Sequence, residues 1–107
     1  MARAYKNAKV DLTTDAVTTL YTCPTAAAAI VTSILVSEDS GNADTITVTL
    51  TNSAAAIFSL SKVKAVGANT TVELLTRPLV VEESEVLKVK AATADRLHVV
   101  ASLLELS

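Results

Sequence analysis

The sequence has little of what most catalytic and recognition sites are built from. Its 107 residues include one cysteine, one histidine, two glycines, two prolines and no tryptophan. A single cysteine, Cys23, excludes an intrachain disulfide and a metal site built on cysteines. Aromatic residues make up 3% of the chain, too few for the stacking platforms that bind bases or sugars. The formal net charge is −2, so the chain lacks the basic field that holds a phosphate backbone, and we expect no nucleic-acid partner.

Long apolar runs are also missing. The longest, residues 26–31, is far shorter than the roughly 20 residues that a membrane-spanning helix needs, so we expect no membrane partner. Residues 1–6 lack the apolar core of a secretory signal, and we expect assembly in a reducing cytoplasm. Half of the residues are hydrophobic and 19% are charged. This balance is typical of a folded chain, and the length fits one domain.

The strongest pattern is an alternation of period two. Residues 44–51 read DTITVTLT, which places Ile46, Val48 and Leu50 on one face and threonines on the other. Successive side chains of a strand point to opposite faces, so the pattern predicts a half-buried strand with a threonine outer face.

Five further segments carry the same signal. Strands are predicted over residues 17–23, 28–38, 71–76, 85–91 and 96–106. In the second of these, Ile30, Thr32, Ile34 and Val36 share the predicted inner face. In the last, Leu97, Val99 and Ala101 point inward, whereas Leu103, Leu104 and Leu106 cannot all share one face. A bulge or a partner chain would explain that change of phase.

Polar turn clusters separate these runs, at residues 37–42, 51–53, 66–69 and 82–84. The spacing indicates seven or eight strands. We therefore predict an all-β chain, a single antiparallel β-sandwich of jelly-roll type spanning residues 11–107. An immunoglobulin-like sandwich is the alternative, although its cysteine and tryptophan marks are missing. Residues 1–10, with basic Arg3, Lys6 and Lys9, are interpreted as an N-terminal arm.

No set of residues completes a catalytic or metal site. His98 lies between apolar residues on a predicted strand, with no second histidine and no nucleophile motif nearby, so we interpret it as an outward-facing strand residue. Cys23 has neither a neighbouring base nor a basic setting, and we interpret it as a small buried side chain. We expect no enzyme activity and no cofactor.

Two acidic clusters are interpreted in the same way. Glu38, Asp39, Asn42 and Asp44 surround one loop but match no known calcium-loop spacing, and we interpret them as a solvated turn. The acidic residues at 82, 83 and 85 are typical of a charged strand edge. A paired-carboxylate site would need two of them in one cleft.

Some apolar surface is expected to meet another chain, because a domain this small cannot bury half of its residues. The candidates are residues 54–57 (AAAI) and the C-terminal leucines Leu103, Leu104 and Leu106. The threonine face of residues 45–51 fits a solvated sheet and an interface equally well.

Nearly the whole chain, from about residue 11, resembles the small β-sandwich virion proteins of tailed bacteriophages. The resemblance is carried, in order, by residues 12–14 (LTT), 19–24 (TLYTCP), 29–34 (AIVTSI), 69–74 (NTTVEL), 78–82 (PLVVE), 87–91 (LKVKA) and 98–105 (HVVASLLE). In that group an opening Leu-Thr and Tyr-Thr-x-Pro leads to an Ile-Val-x-Ser-Ile strand. One departure is residues 82–85 (EESE), where the group often has Gly-Asp.

The resemblance implies a structural protein of the capsid surface. We expect a decoration or cement protein that binds the assembled major capsid protein as a homo-oligomer, most simply a trimer. A neck, tail or fibre-base component is the alternative, and a carbohydrate-binding module is a more distant one. The residues expected at the partner or oligomer interface are Arg3, Tyr5, Lys6, Lys9, Leu103, Leu104 and Leu106.

Overall fold

A computed structural model describes residues 3–107 and contains nine β-strands in two antiparallel sheets. The strands are β1 (Arg3–Leu12), β2 (Thr18–Thr22), β3 (Ala28–Glu38), β4 (Asp44–Thr51), β5 (Ile57–Val66), β6 (Thr71–Glu73), β7 (Leu79–Val81), β8 (Val86–Ala91) and β9 (Leu97–Leu106). The five-stranded sheet has the order β1-β9-β3-β6, with β7 also paired to β3, and the four-stranded sheet has the order β2-β8-β4-β5. The predicted all-β sandwich is confirmed.

The strand order follows from a chain that folds back on itself. The first strand pairs with the last, β2 pairs with β8, β3 pairs with β6 and β7, and β4 pairs with β5, always antiparallel. This nested pairing, wrapped into two sheets, is the arrangement of a jelly roll. None of the described residues forms a helix that could cross a membrane.

Small aliphatic side chains fill the space between the sheets. The buried positions are Leu12, Leu20, Cys23, Ala29, Val31, Ile34, Val36, Ile46, Val48, Val66, Val81, Leu87, Val89, Ala91, Leu97, Val99, Ala101 and Leu103. Tyr5 and Phe58 are exposed and Tyr21 is only partly buried, so the aromatic residues lie outside this core. Such a core depends on close packing of many Val, Leu and Ala side chains.

The inner face of β3 differs from the prediction. Val31, Ile34 and Val36 are buried, whereas Thr32 is exposed and Ile30 lies on the outer face. The pairing of β3 with β9 shifts between Val31 and Ser33, so Thr32 is an extra residue in a β-bulge. The change of phase expected among the C-terminal leucines of β9 is not found, and the bulge lies instead in its partner β3. Strand β9 alternates without interruption, and Leu103 faces the core.

A side chain from a neighbouring strand stabilises this bulge. Strand β6 ends at Glu73, whereas the sequence predicted an end at residue 76. The Glu73 carboxylate forms hydrogen bonds with β3. It accepts hydrogen bonds from the Ser33 hydroxyl, from the Ile34 N–H at 2.7 Å and from the Leu75 N–H at 3.2 Å. Burial would raise the pKa of Glu73, but these hydrogen bonds outweigh it and lower the pKa. Glu73 thus supplies the bond that a continuous edge strand would have supplied.

Three of the nine strands in residues 3–107, the edge strands β1, β5 and β7, are absent from the strands predicted by sequence. Residues 3–10 of the expected arm belong to β1, which pairs with β9 from Arg3 to Leu12 without a break. Residues 1 and 2 of that arm lie outside the described residues. The inward positions of β1 include Ala4, Lys6 and Ala8, which give only a weak hydrophobic alternation. Strand β5 carries two register shifts against β4, and these break its alternation.

We expect a core truncation to destabilise the fold strongly. Ile46 is fully buried in β4, and Ile46→Ala should lower the free energy of unfolding by about 2–5 kcal/mol, because the cavity adds to the lost transfer energy. Val100→Ala, on the exposed side of β9, should change it by about 0.5 kcal/mol. Urea unfolding at neutral pH measures both, and similar values for the two variants would contradict this assignment of the core.

Candidate interaction surfaces

His98 lies on the outer face of the five-stranded sheet, where two carboxylates hold it. Its Nε2 is 3.2 Å from Asp11 Oδ1, and its Nδ1 is 3.4 Å from Asp39 Oδ2. Ser37 is the cross-strand neighbour of His98, but the Ser37 hydroxyl bonds to the Thr71 hydroxyl at 2.9 Å. Because both ring nitrogens of His98 face carboxylates, neither is placed to take a proton from Ser37. Ser37 and His98 therefore do not form a nucleophile–base pair.

The acidic loop after β3 is held together by one buried side chain. The Glu38 carboxylate accepts hydrogen bonds from the N–H groups of Ser40 at 2.8 Å, Gly41 at 3.0 Å, Asn42 at 3.1 Å and Asn69 at 3.0 Å, and from the Ser40 hydroxyl. It therefore ties the β3–β4 turn to the β5–β6 turn. Within residues 3–107, no three His, Cys, Asp or Glu side chains are grouped to hold a metal ion.

These hydrogen bonds decide the ionisation of Glu38. Burial would raise the pKa of Glu38, but the bonds from Ser40, Asn69 and Gly41 outweigh it and lower the pKa from 4.5 to about 2. The sequence interpretation of this loop as a solvated turn is therefore wrong for Glu38 and Asp44, whose side chains are buried, although Asp39 and Asn42 are exposed.

A second polar cluster closes the sandwich where β1 and β2 meet. Glu105 accepts a hydrogen bond from Lys6 Nζ at 2.8 Å and from the Tyr21 hydroxyl at 2.5 Å. The bonds from Lys6 and Tyr21 lower the pKa of Glu105, while burial and then Glu105 raise that of Tyr21. Burial raises the pKa of the nearby Cys23 thiol, so the thiol is a packed side chain and not an activated nucleophile.

The interface residues expected from sequence fall into different environments. Tyr5 is 88% exposed, and Arg3 and Lys9 are exposed beside it on β1. Lys6 is engaged by Glu105. Leu103 is 3% exposed and belongs to the core, so it is not available to a partner. Leu104 and Leu106 are half-buried on the outer face.

An apolar row crosses the outer face of the five-stranded sheet. Tyr5 pairs with Leu104, Leu104 with Ile30, and Ile30 with Val80. The two ends of the row are the most open, because Tyr5 and Val80 are both exposed, whereas Leu104 and Ile30 are half-buried. The row therefore presents one apolar side chain at each edge of the sheet.

The outer face of the four-stranded sheet has a different character. Its outward positions on β4 and β8 are threonines and lysines with one valine, namely Thr45, Thr47, Thr49, Thr51, Val86, Lys88 and Lys90. The sequences of β2, β5 and β8 contain no acidic residue, and the single one of β4, Asp44, is buried and accepts a hydrogen bond from the Thr93 N–H. We call this surface the threonine–lysine face. It is mostly polar, and its charged outward side chains are basic.

The edge of the same sheet is apolar. Strand β5 exposes Ile57, Phe58, Leu60 and Val63, and Val63 has a positive φ of 52° at a register shift. The residues at 54–57 expected to form apolar surface are exposed, as predicted. Bulges discourage regular strand pairing, so this edge offers apolar side chains rather than a regular backbone ladder.

A surface depression of about 690 Å³ has a lining of alanine, serine, glutamate and leucine side chains. It is lined by Ala26, Ala27, Ala28, Ser53, Glu82, Glu83, Leu106 and Ser107. Glu83 accepts a hydrogen bond from the Ala26 N–H at 2.7 Å. Glu85 accepts one from the Glu82 N–H at 2.8 Å. The side chains of Glu83 and Glu85 therefore each brace a turn.

Comparisons with known proteins show a shared fold. No protein-family model matches the chain, and no curated protein matches it in sequence. A chain from Bacillus endospore appendages, described as a family of disulfide-linked pili, is similar in structure with a TM-score of 0.58 and 8% identity. The match covers 98% of this chain and 88% of that one. A chain of infectious bursal disease virus, Gt strain, has a TM-score of 0.41 and 9% identity, over 98% of this chain and 30% of that one.

We expect the hydrogen bonds to the Glu38 carboxylate to make the free energy of unfolding depend on pH. Glu38→Gln should be less stable than the wild type at pH 7, because an amide replaces the carboxylate that accepts the backbone hydrogen bonds. Because the pKa of Glu38 is lower in the folded state, its ionisation stabilises the fold at pH values above the unfolded pKa of 4.5. This stabilisation is lost as the pH falls toward about 2. The difference in free energy of unfolding between wild type and Glu38→Gln should therefore shrink between pH 5 and pH 2.

Chemical unfolding over that pH range, with Glu82→Gln as the control, measures this difference. Glu82 is exposed, and its neutralisation should leave the pH dependence nearly unchanged. A constant difference between wild type and Glu38→Gln down to pH 2 would show that the carboxylate does not hold the two turns.

Proposed function

We propose that this chain is a non-enzymatic structural protein of a tailed-bacteriophage virion, and that it decorates the assembled capsid. The supporting observation is that some polar side chains form hydrogen bonds within the fold, whereas others face outward. Glu38, Glu73 and Glu105 brace turns, a bulge and an edge, while the broad outer faces carry side chains suited to contact with other proteins. The resemblance to phage virion sandwiches and the fold shared with a pilus chain are both consistent with a structural role.

The threonine–lysine face is the surface proposed to lie on the shell. Threonine side chains lose little conformational entropy on contact and offer hydroxyls for hydrogen bonds. Lys88 and Lys90 add positive charge to a face whose strands direct no acidic side chain outward. Charge of one sign on an interface favours a partner of the opposite sign. The fitting partner is therefore an acidic patch on the major capsid protein.

Stabilisation follows from mass action. A protein that binds only where neighbouring capsomers are assembled shifts the equilibrium toward the intact shell. An oligomer that contacts several shell subunits at once multiplies modest affinities, because each further contact is intramolecular. A rigid sandwich suits this role, since little ordering entropy is lost on binding.

A neck, tail or fibre-base position uses the same fold with fewer copies, and it is the second candidate. Carbohydrate binding ranks below both. Tyr5 and Phe58 are the exposed aromatic side chains, and they lie on β1 and β5, the outermost strands of different sheets. A sugar platform needs aromatic faces side by side, and this separation disfavours one.

We expect charge reversal on the threonine–lysine face to weaken shell binding. Lys90→Glu should reduce the affinity for particles that lack the chain by about three- to tenfold, because it replaces an attraction with a repulsion. Arg77→Glu makes the same charge change in the exposed loop between β6 and β7, and should bind nearly as well as the wild type. Co-sedimentation with such particles at low salt measures both, and equal binding by the two variants would contradict the assigned face.

A further inference from the structure

The two edges of the five-stranded sheet carry opposite charges. One edge is β1, whose exposed residues include Arg3 and Lys9. The other edge is formed by β6, β7, the loop that joins them and the turn that follows, and it contains three acidic residues, Glu73, Glu82 and Glu83, against one basic residue, Arg77. We call these the basic edge and the acidic edge. Each has strand pairing on one side only, so alternate backbone N–H and C=O groups face outward.

Strand direction allows the two edges to pair. From β1 through β9 and β3 to β7, each neighbouring pair is antiparallel, so β1 and β7 run in opposite directions. A second copy placed beside the first in the same orientation sets its β1 antiparallel to β7 of the first. Antiparallel addition to a sheet edge is a recurrent mode of protein association.

The register of the sheet brings complementary side chains to the same level. Tyr5 and Val80 end the same cross-strand row, through Leu104 and Ile30. Lys9 and Glu73 end another, through Val100 and Leu35.

The turn extends this match. Glu82 directly follows Val81, the last paired residue of β7, and continuing the register by one residue sets it level with Ala28. The row of Ala28 runs through Leu106 and ends at Arg3. Asp11 is level with the neutral Thr71. Side by side, two copies would thus place Arg3 near Glu82, Tyr5 near Val80 and Lys9 near Glu73.

The four-stranded sheet contributes to the same contact. Strand β2 lies next to β1, and β5 lies near β3 on the opposite side of the sandwich. The apolar side chains of β5, Ile57, Leu60 and Val63, are therefore on the acidic-edge side, and exposed Val17 is on the basic-edge side. Packing copies side by side would cover both sets of apolar side chains, which stay exposed in a monomer.

We propose that the occupant of each edge is a second copy of this chain, with the basic edge of one copy against the acidic edge of the next. Like-charged edges repel, so β1–β1 pairing is disfavoured, and only the head-to-tail contact brings opposite charges together. Such a contact uses two different surfaces and generates a closed ring or an open array. The proposal takes from the proposed function only that the chain works as a homo-oligomer, and it does not depend on shell binding.

A charge-swap experiment tests this contact. Arg3→Glu and Glu82→Arg, each alone, should weaken self-association of the full chain by about tenfold, because each sets like charges opposite each other at every contact. Mixing the two variants should restore assembly, since every contact in an alternating order then joins opposite charges. The double variant R3E/E82R should assemble by itself for the same reason. Lys90→Glu, the same charge change on the threonine–lysine face, should assemble like the wild type.

Sedimentation velocity at low salt reads the outcome, with circular dichroism to confirm that each variant is folded. Lys9→Glu is a second basic-edge variant, should Arg3→Glu fail to fold. A wild type that remains monomeric at millimolar concentration would overturn the proposal. So would single variants that assemble like the wild type, or a mixture that does not recover. Because Lys90→Glu should weaken shell binding and keep self-association, failure of this proposal and failure of the proposed function give different results.

Discussion

The requirement that every strand keep its small aliphatic side chains between the two sheets governs the rest of this structure. With the aromatic residues outside the core, cohesion comes from close packing of Val, Leu, Ile and Ala side chains. Strand β3 meets this requirement only because Thr32 is looped out, which keeps Val31 and Ile34 both on the inner face. At the level of the bulge, residues 32–34 have no strand partner on the side of β6 and β7, and the Glu73 carboxylate occupies that gap. Packing, bulge and carboxylate are therefore one connected arrangement.

A feature of this fold is predictable from the sequence where the residues that determine it are close together in the chain. Strand β4 is predicted to the residue, because its alternation is strict and polar turns flank it. The phase of β3 is not predictable, because its bulge is stabilised by a glutamate 40 residues away in the chain. Strand β5 is hidden by its two register shifts, and β1 by Ala4, Lys6 and Ala8 at its inward positions. Sequence also singled out Tyr5 and Lys9, but only the register aligns them with Val80 and Glu73.

The proposed contacts use the faces and edges of this small domain. Internal glutamates brace the turns, so the faces and edges stay rigid and are presented in fixed geometry. One face is basic and rich in threonine, and the edges of the opposite sheet carry opposite charges. If the proposed function and the proposed lateral contact both hold, separate surfaces for the shell and for neighbouring copies would let lateral contacts form without blocking attachment.

The central claim is that the chain coats a capsid, and its copy number in the particle tests this most directly. Quantitative mass spectrometry of purified virions gives the amount of this chain relative to the major capsid protein. Decoration of the lattice predicts a ratio of the same order as the shell subunit. A ratio equivalent to a single ring per particle would contradict decoration and move the chain to the neck or tail. Absence from the particle would contradict a virion role altogether.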